Sequence, residues 1–493
     1  MESTTIISGG LYPTTPGQTT RYDSPTNKSK LSDAVIEPAH FLSTRETSPV
    51  YLPPQWSEYI HPEGEIYFAR ASVPSVVTTA DLYNPEVATS VTRWINHILE
   101  LLAEKSIIVH ENVELFIRID ADQDCLYYFV DNTSHTVFWI ERYDTSQLNL
   151  GTVASTSHLR TLLEAEYWDH VQTFPMHTSG LPLENIDELV NVLTHAAADH
   201  LTSSSGTFGF GAEKCMKFVK ILKATRDNHR NGYTTCVAAR LWNVIQRTRQ
   251  WNHYGQKQAR LATIQSILDL DAVDVPCWSG LLTSAASLKT AETYLSSLDA
   301  VFLDHVIFEE RWHDFMKVCF ADWRSNLYNV ACTLILNIFM IFTLPSVTHL
   351  MMASAAFLSA SLLASTLLIQ RHEHLETGDT GSAHDFMSAV RSQKFGFQWV
   401  ALVYSLPKAF FLWSLVAMFI QWLVVINYYT SSGFTMGLTG VVILALFASR
   451  QILSESSAIS TISRFFSRRR SHQHESFQEM EYADEKDSIL SMV

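Results

Sequence analysis

Residues 326–370 contain no Asp, Glu, Lys or Arg, and residues 395–449 contain only Lys408. A helix that crosses a ~30 Å hydrocarbon core needs roughly 20 predominantly apolar residues. The first run therefore predicts two crossings, at 327–344 and 350–369, parted by Pro345, Ser346, Thr348 and His349. The second run predicts two more, at 409–427 and 433–449, with 397–406 as a bent lead-in before Pro407 and a turn at 428–432. Basic residues precede the first crossing (Arg311, Lys317, Arg324), follow the second (Arg371, Arg391, Lys394) and follow the fourth (Arg450, Arg464, Arg468). The turns inside each pair carry no charge, so the positive-inside rule puts both chain ends in the cytosol and makes the region two helical hairpins. Trp399, Trp413, Trp422, Tyr428 and Tyr429 suit the interfaces. Ala356, Ala360 and Ala364 recur every fourth residue, as do Gly433 and Gly437, a spacing that lets helices approach closely. Asn337 and Gln421 fall mid-helix and need partners on neighbouring helices.

Ahead of the membrane region, residues 1–50 are rich in Ser, Thr and Pro and predict a disordered tail. Residues 51–145 are mixed. The strand-like pieces GEIYFARA, VELFIRI, LYYFV and TVFWIE surround one helical pattern of Val87, Val91, Trp94, Ile95, Ile98, Leu101 and Leu102. Residues 146–325 read as helices at 156–172, 184–201, 211–226, 232–252, 256–269 and 284–323, separated by Gly, Pro and Ser. Within 451–493, Ile459, Ile462, Phe465 and Phe466 beside Arg464 and Arg470 form a basic amphipathic segment suited to an anionic membrane surface, followed by an acidic flexible tail. The expected fold class is mainly α: a cytosolic α+β region of β-meander pieces plus a helical bundle, followed by α-helical transmembrane hairpins.

A formal charge of −15 over 493 residues, with no basic domain outside the short arginine cluster, argues against a nucleic-acid partner. The six cysteines are scattered without CxxC pairing, which suits reduced cytosolic thiols. The first residues lack the basic start and apolar core of a signal peptide. Thr15-Pro16, Ser24-Pro25 and Ser48-Pro49 have the form of proline-directed phosphorylation sites, and Ser491-Met492-Val493 that of a PDZ-type terminus.

Catalytic and metal signatures are weak. Asp120-Ala121-Asp122-Gln123-Asp124 has the acidic density of a cation loop. However, Cys125 stands where a calcium loop needs Gly, and Asp131 where it needs a bidentate Glu, so an acidic hairpin turn is expected. His195 and Asp199 lie one helical turn apart, but no HExxH, GxSxG or phosphate-loop spacing occurs. No catalytic residue, cofactor or metal is assigned.

Leu52-Pro53-Pro54-Gln55-Trp56, followed by Gly64 and Tyr67-Phe68, resembles the first half of a WW domain. Tyr128-Phe129-Val130-Asp131, followed by Thr136 and Trp139, resembles the second half. The resemblance implies recognition of extended proline-rich peptides in an aromatic groove, with Trp56, Tyr67, Tyr128, Thr136 and Trp139 as peptide-binding candidates. The second stacking Trp is absent from the first copy, the second copy lacks its opening Trp, and Asn132 stands at the groove His. Two degenerate copies, one module split by an inserted helix, and a purely structural β-meander are the readings this leaves. The wider pattern resembles a family of WW-domain-like multi-pass membrane proteins of mushroom-forming (basidiomycete) fungi. His61-Pro62-Glu63-Gly64, segment 127–139, Tyr167-Trp168, Phe174-Pro175-Met176-His177, Leu201-Thr202-Ser203, Ala239-Arg240-Leu241-Trp242, Tyr254-Gly255 and Ala259-Arg260 carry the likeness, over about residues 50–325. It implies an architecture and no established activity.

These features predict a non-enzymatic, membrane-anchored interaction or scaffold protein. Its partners would be membrane lipids, proline-rich proteins and further copies of itself as a homo-oligomer. The alternatives are a small-solute channel or transporter built from oligomerised helices, and an unrecognised membrane enzyme. The short fourth crossing favours the thin endoplasmic reticulum bilayer or another endomembrane.

Overall fold

The computed structural model describes residues 9–19, 31–33, 35–36, 38, 52–445 and 448, apart from 121, 204, 269–275, 305, 344–347 and 377–379. The Ser24 and Ser48 phosphorylation motifs, the amphipathic segment and the C-terminal motif lie outside these residues. The chain is mostly helical, with one mixed sheet in its N-terminal part and helices after it. It divides into two compact units: Met1–Asp274, Ser296–Lys317 and His374–Phe397 form the first, and Val275–Leu295, Val318–Glu373 and Gln398–Val493 the second.

In the first unit, seven strands form one sheet: β1 (Leu11–Pro13), β2 (Trp56–Ile60), β3 (Ile66–Arg70), β4 (Ser75–Thr78), β5 (Val113–Ile119), β6 (Cys125–Asp131) and β7 (Thr136–Phe138). Their order is β1-β6-β5-β4-β3-β2, with β7 beside β6. β2-β3-β4 and β5-β6-β7 are two antiparallel meanders, joined by the parallel pairing of β4 with β5. A parallel pair needs a crossover, and α1 (Pro85–Glu104) supplies it. Asn84 caps α1 by accepting from the Glu86 N–H at 3.0 Å, and Pro85 occupies its first turn.

Both faces of the sheet are covered, which explains why its strands read as nearly continuous apolar runs rather than alternating ones. Adjacent residues point to opposite sides. Phe68, Val76, Leu115, Ile117, Tyr127 and Phe129 meet Val91, Trp94, Ile95 and Ile98 of α1. Tyr67, Val77, Phe116, Tyr128 and Val130 belong to a second core with the helices α2 (Thr156–Thr173), α3 (Leu183–Thr202), α4 (Ala212–Thr225) and α5 (Gly232–Trp251). There Trp168 of α2 stacks on Trp242 of α5 at 5.7 Å. Ser155 caps α2 and Asn231 caps α5.

The expected disordered tail contributes structure. β7 pairs only with 129–131 of β6, and β1 runs parallel along 125–127 of the same edge. Strand β1 is held by Gly10 N–H donating to Asp124 Oδ1, Thr14 N–H donating to the Tyr127 carbonyl, and the Trp139 indole N–H donating to the Thr14 carbonyl. Just past it, Gly17 N–H donates to Glu166. Removing residues 1–14 is expected to speed amide exchange at Cys125, whose N–H donates to the Gly10 carbonyl at 2.9 Å. Unchanged exchange would show that β6 keeps this edge covered without β1.

Two further departures concern helices. Residues 256–268 form turns rather than the expected helix. Gly255 takes φ +74°, and the Arg260 N–H donates to the Asn252 carbonyl, so the chain folds back instead of coiling forward. The helix expected over 284–323 is broken. α6 (Cys277–Ala286) is followed by α7 (Thr290–Val301) and then by α8 (Glu309–Thr343).

Among the described residues, two helices are long and apolar enough to cross a membrane: His349–Leu375, within α9 (Thr348–Glu376), and Gln398–Tyr429, labelled α11 after the short α10 (Thr380–Val390). A shorter apolar helix, α12, covers Ser432–Ala445. The break expected at Pro407 does not occur, because α11 continues through it. A proline inside a helix has no N–H for the carbonyl four residues earlier, so it costs α11 one helical bond without ending it. Here Ser361 Oγ donates to the Pro407 carbonyl at 2.6 Å.

In the second unit a polar seam joins these helices. The Asn326 amide donates to Ser361 and Ser365, the Asn337 amide donates to the Met351 carbonyl, and Ser354 donates to the Ser414 carbonyl. Trp323 donates to the Tyr404 carbonyl, and the Tyr404 hydroxyl meets His372 Nε2 at 3.0 Å.

Candidate functional site

The first unit contains a buried chain of five ionisable side chains beneath an open cleft. Glu114 interrupts the apolar strand β5, and its alternation places it on the helix-packed face with Tyr67 of β3 and Tyr128 of β6. A carboxylate there requires charged or hydrogen-bonding partners. Both oxygens find one: His170 Nε2 of α2 lies 2.7 Å from Oε1, and His177 Nε2 lies 2.8 Å from Oε2. Ser75 also donates to Oε2 at 3.0 Å. The far nitrogen of each imidazole meets a phenol. Tyr128 lies 3.0 Å from His170 Nδ1, and Tyr67 lies 3.2 Å from His177 Nδ1. The backbone N–H groups of Met176 and His177 both donate to the Tyr67 oxygen, at 2.8 and 3.1 Å. The contacts run in the order Tyr67–His177–Glu114–His170–Tyr128.

Electrostatics follow from this geometry. Burial alone would raise the Glu114 carboxyl, but the charge of His177 and the hydrogen bonds from both imidazoles outweigh it and hold the group well below its ordinary 4.5. Burial pulls His177 down, and the Glu114 carboxylate more than offsets this, lifting it above 6.5. Burial pushes both phenols up, so each stays protonated.

Above this floor lies a cleft of about 640 Å³, lined among others by Tyr59, Arg70, His135, Tyr167 and His177. His135 stacks on Tyr167 at 4.8 Å, and Tyr59 stacks on Tyr67 at 5.7 Å. Gly180 forms part of the wall. It sits at φ +88°, and a Cβ there would collide with the backbone of Arg230, so glycine is required for this close approach.

The five residues expected to bind peptide do not share one groove. Trp56 is buried in the core on the α1 side of the sheet, whereas Tyr67 and Tyr128 are buried on the opposite side. Thr136 is half-buried and 2.7 Å from Ser134. Trp139 is half-buried, with its indole N–H committed to Thr14. The sheet is the physical reason: adjacent residues along a strand point to opposite faces, and the register puts Trp56 on the face opposite Tyr67 and Tyr128. The aromatic side chains that line the cleft above Glu114 include Tyr59, His135 and Tyr167. Glu114 belongs to no recognisable motif. Its signal was a lone carboxylate between Val113 and Leu115 in a strand otherwise fit for burial.

The Asp120–Asp124 segment forms the turn between β5 and β6, with Asp120 Oδ1 accepting from the N–H groups of Asp122 and Asp124. Among the described residues, no group of three or more His, Cys, Asp or Glu is arranged to hold a metal ion. No family model, curated protein or solved structure matches this chain.

Proposed function

We propose that this chain is a membrane-anchored interaction protein whose α+β unit receives an extended, proline-rich segment of a partner in the cleft above Glu114. The observation that carries this reading is the saturation of the cleft floor. Both Glu114 oxygens and both His177 nitrogens are committed to one another and to Tyr67, His170 and Ser75. A general base needs a lone pair within reach of its substrate, and this floor presents a fixed, satisfied polar surface flanked by stacked aromatic rings. Such walls accept the flat rings and low-entropy backbone of a polyproline helix.

In the membrane reading, two hairpins (327–344 with 350–369, and 409–427 with 433–449) enter an endomembrane such as the endoplasmic reticulum, with both ends cytosolic. The charge pattern and the apolar length of α9 and α11 support it. Asn337 and Gln421 are buried within the second unit, whereas the Lys408 side chain is 53% exposed and 4.0 Å from Asp322. That placement favours helix-to-helix bonding over a shared solute path.

Ser57 is exposed on β2 and lines the cleft, so Ser57→Trp fills it without touching the core. Proximity labelling from the α+β unit is expected to lose partners with proline-rich segments by about tenfold in this variant. A labelled set unchanged from wild type, or no richer in such segments than background, removes the reading.

A further inference from the structure

A second cleft of the first unit, about 690 Å³, lies between α3, the end of α5 and the 253–261 turns. Its volume falls within the roughly 300–1,000 Å³ typical of small-molecule sites. Val192, Ala196, Phe208, Ile245 and Leu261 make much of its wall apolar, and Asn252 and Arg260 also line it. The Arg260 side chain is 0% exposed. Its Nη2 donates to Asp304 Oδ2 at 2.5 Å, and Asp304 accepts in addition from Ser266 Oγ and the Ile267 N–H. That carboxylate is well supplied, whereas Arg260 Nε and Nη1 have no hydrogen-bond partner among the described residues. A guanidinium carries five N–H donors, and leaving them unmade in a buried site is costly. Asn252 Oδ1 and Thr263 Oγ1, from the same turns, are buried without a partner as well.

The lining holds two guanidiniums, Arg249 and Arg260, against one carboxylate, Asp199. Arg249 is already spread over the Tyr254 and Trp242 rings, at 4.8 and 5.8 Å, so Arg260 carries the unused donors. Tyr254 and Leu261, 63% and 80% exposed, add apolar surface at the same cleft. Buried unused donors beside apolar walls call for a ligand with one anionic end and a long apolar body. A monoanion fits better than a phosphate dianion, because Asp304 already neutralises part of the guanidinium and Asp199 stands on the α3 wall.

We propose that this cleft binds a long-chain fatty carboxylate, its head on Arg260 and its chain along the wall of Val192, Phe208, Ile245 and Leu261. The full chain in phosphatidylcholine nanodiscs is titrated with radiolabelled palmitate, with empty discs subtracted, and compared with hexadecanol, acetate and inorganic phosphate. Palmitate is expected to saturate, with hexadecanol about tenfold weaker and acetate and phosphate without saturable binding. Arg260→Lys keeps a cation beside Asp304 but gives up the Nε and Nη1 donors. It is expected to weaken palmitate about tenfold and to leave hexadecanol unchanged. Asn191→Trp, at an exposed lining position of α3, is expected to weaken both. Equal binding of palmitate and hexadecanol, indifference of palmitate to Arg260→Lys, saturation by phosphate alone, or no saturable binding each overturns the proposal.

Discussion

Replacing Glu114 with Gln is expected to destabilise the α+β unit by about 3 kcal/mol, because two charge-assisted hydrogen bonds are lost and the new amide presents N–H against an imidazole N–H. The pH dependence distinguishes this from simple repacking. The Glu114 carboxyl is held below its ordinary 4.5, so its contribution is present above that value and is lost only as pH falls through the lowered value. His177 is lifted above 6.5, so its contribution is complete below 6.5 and fades as pH rises through the raised value. Both contributions coincide between 4.5 and 6.5. The gap in thermal midpoint between wild type and Glu114→Gln should be widest in that window and narrow toward alkaline pH. The full chain in neutral detergent, followed by tryptophan fluorescence, gives the measurement. A gap of constant width from pH 5 to 9 would falsify the assignment of His177 as the carboxylate's charged partner.

The parts of this fold that were legible in the sequence are those fixed locally. α2, α3, α4 and α5 lie at the expected positions because capping residues, Gly, Pro and Ser punctuate their ends. Four apolar pieces of the 51–145 region became β3, β5, β6 and β7, and the helical spacing from Val87 to Leu102 became α1. What the sequence hid depends on distant partners. β1 is too short to signal itself and exists because β6 has an uncovered edge. The site is hidden for the same reason: Glu114 is completed by histidines 56 and 63 residues later, a separation no local pattern encodes. The aromatic residues of the WW-like pieces were visible, but their burial on opposite faces became apparent only once the two meanders joined one two-sided sheet. Pro407 misled in the other direction. As a local signal it breaks helices, and α11 continues past it in an apolar setting where a serine of α9 bonds its carbonyl.

Residues 256–268 show the same principle at larger cost, and they set the second large effect. Asp304→Ala is expected to destabilise the first unit by about 3–5 kcal/mol, because it strands the buried Arg260 guanidinium. It also takes the acceptor from Ser266 Oγ and the Ile267 N–H. Arg260→Met should cost less, since Asp304 keeps those two donors. The double variant Arg260→Met with Asp304→Leu removes both charges into surroundings that include the Phe308 ring, 5.7 Å from the guanidinium carbon. Replacing a buried pair by apolar groups of similar volume is often close to neutral. The double variant should therefore be more stable than Asp304→Ala, and the cycle closed with Asp304→Leu as the second single variant should show coupling of about 1–3 kcal/mol. Limited proteolysis reports where the effect lies: cleavage within 252–268 should accelerate in Asp304→Ala, because the ion pair ties these turns to a residue 44 positions away. If these variants unfold at one midpoint and that segment is cut no faster, the pair does not hold the turns, and the helix-breaking Gly255 alone must account for their shape.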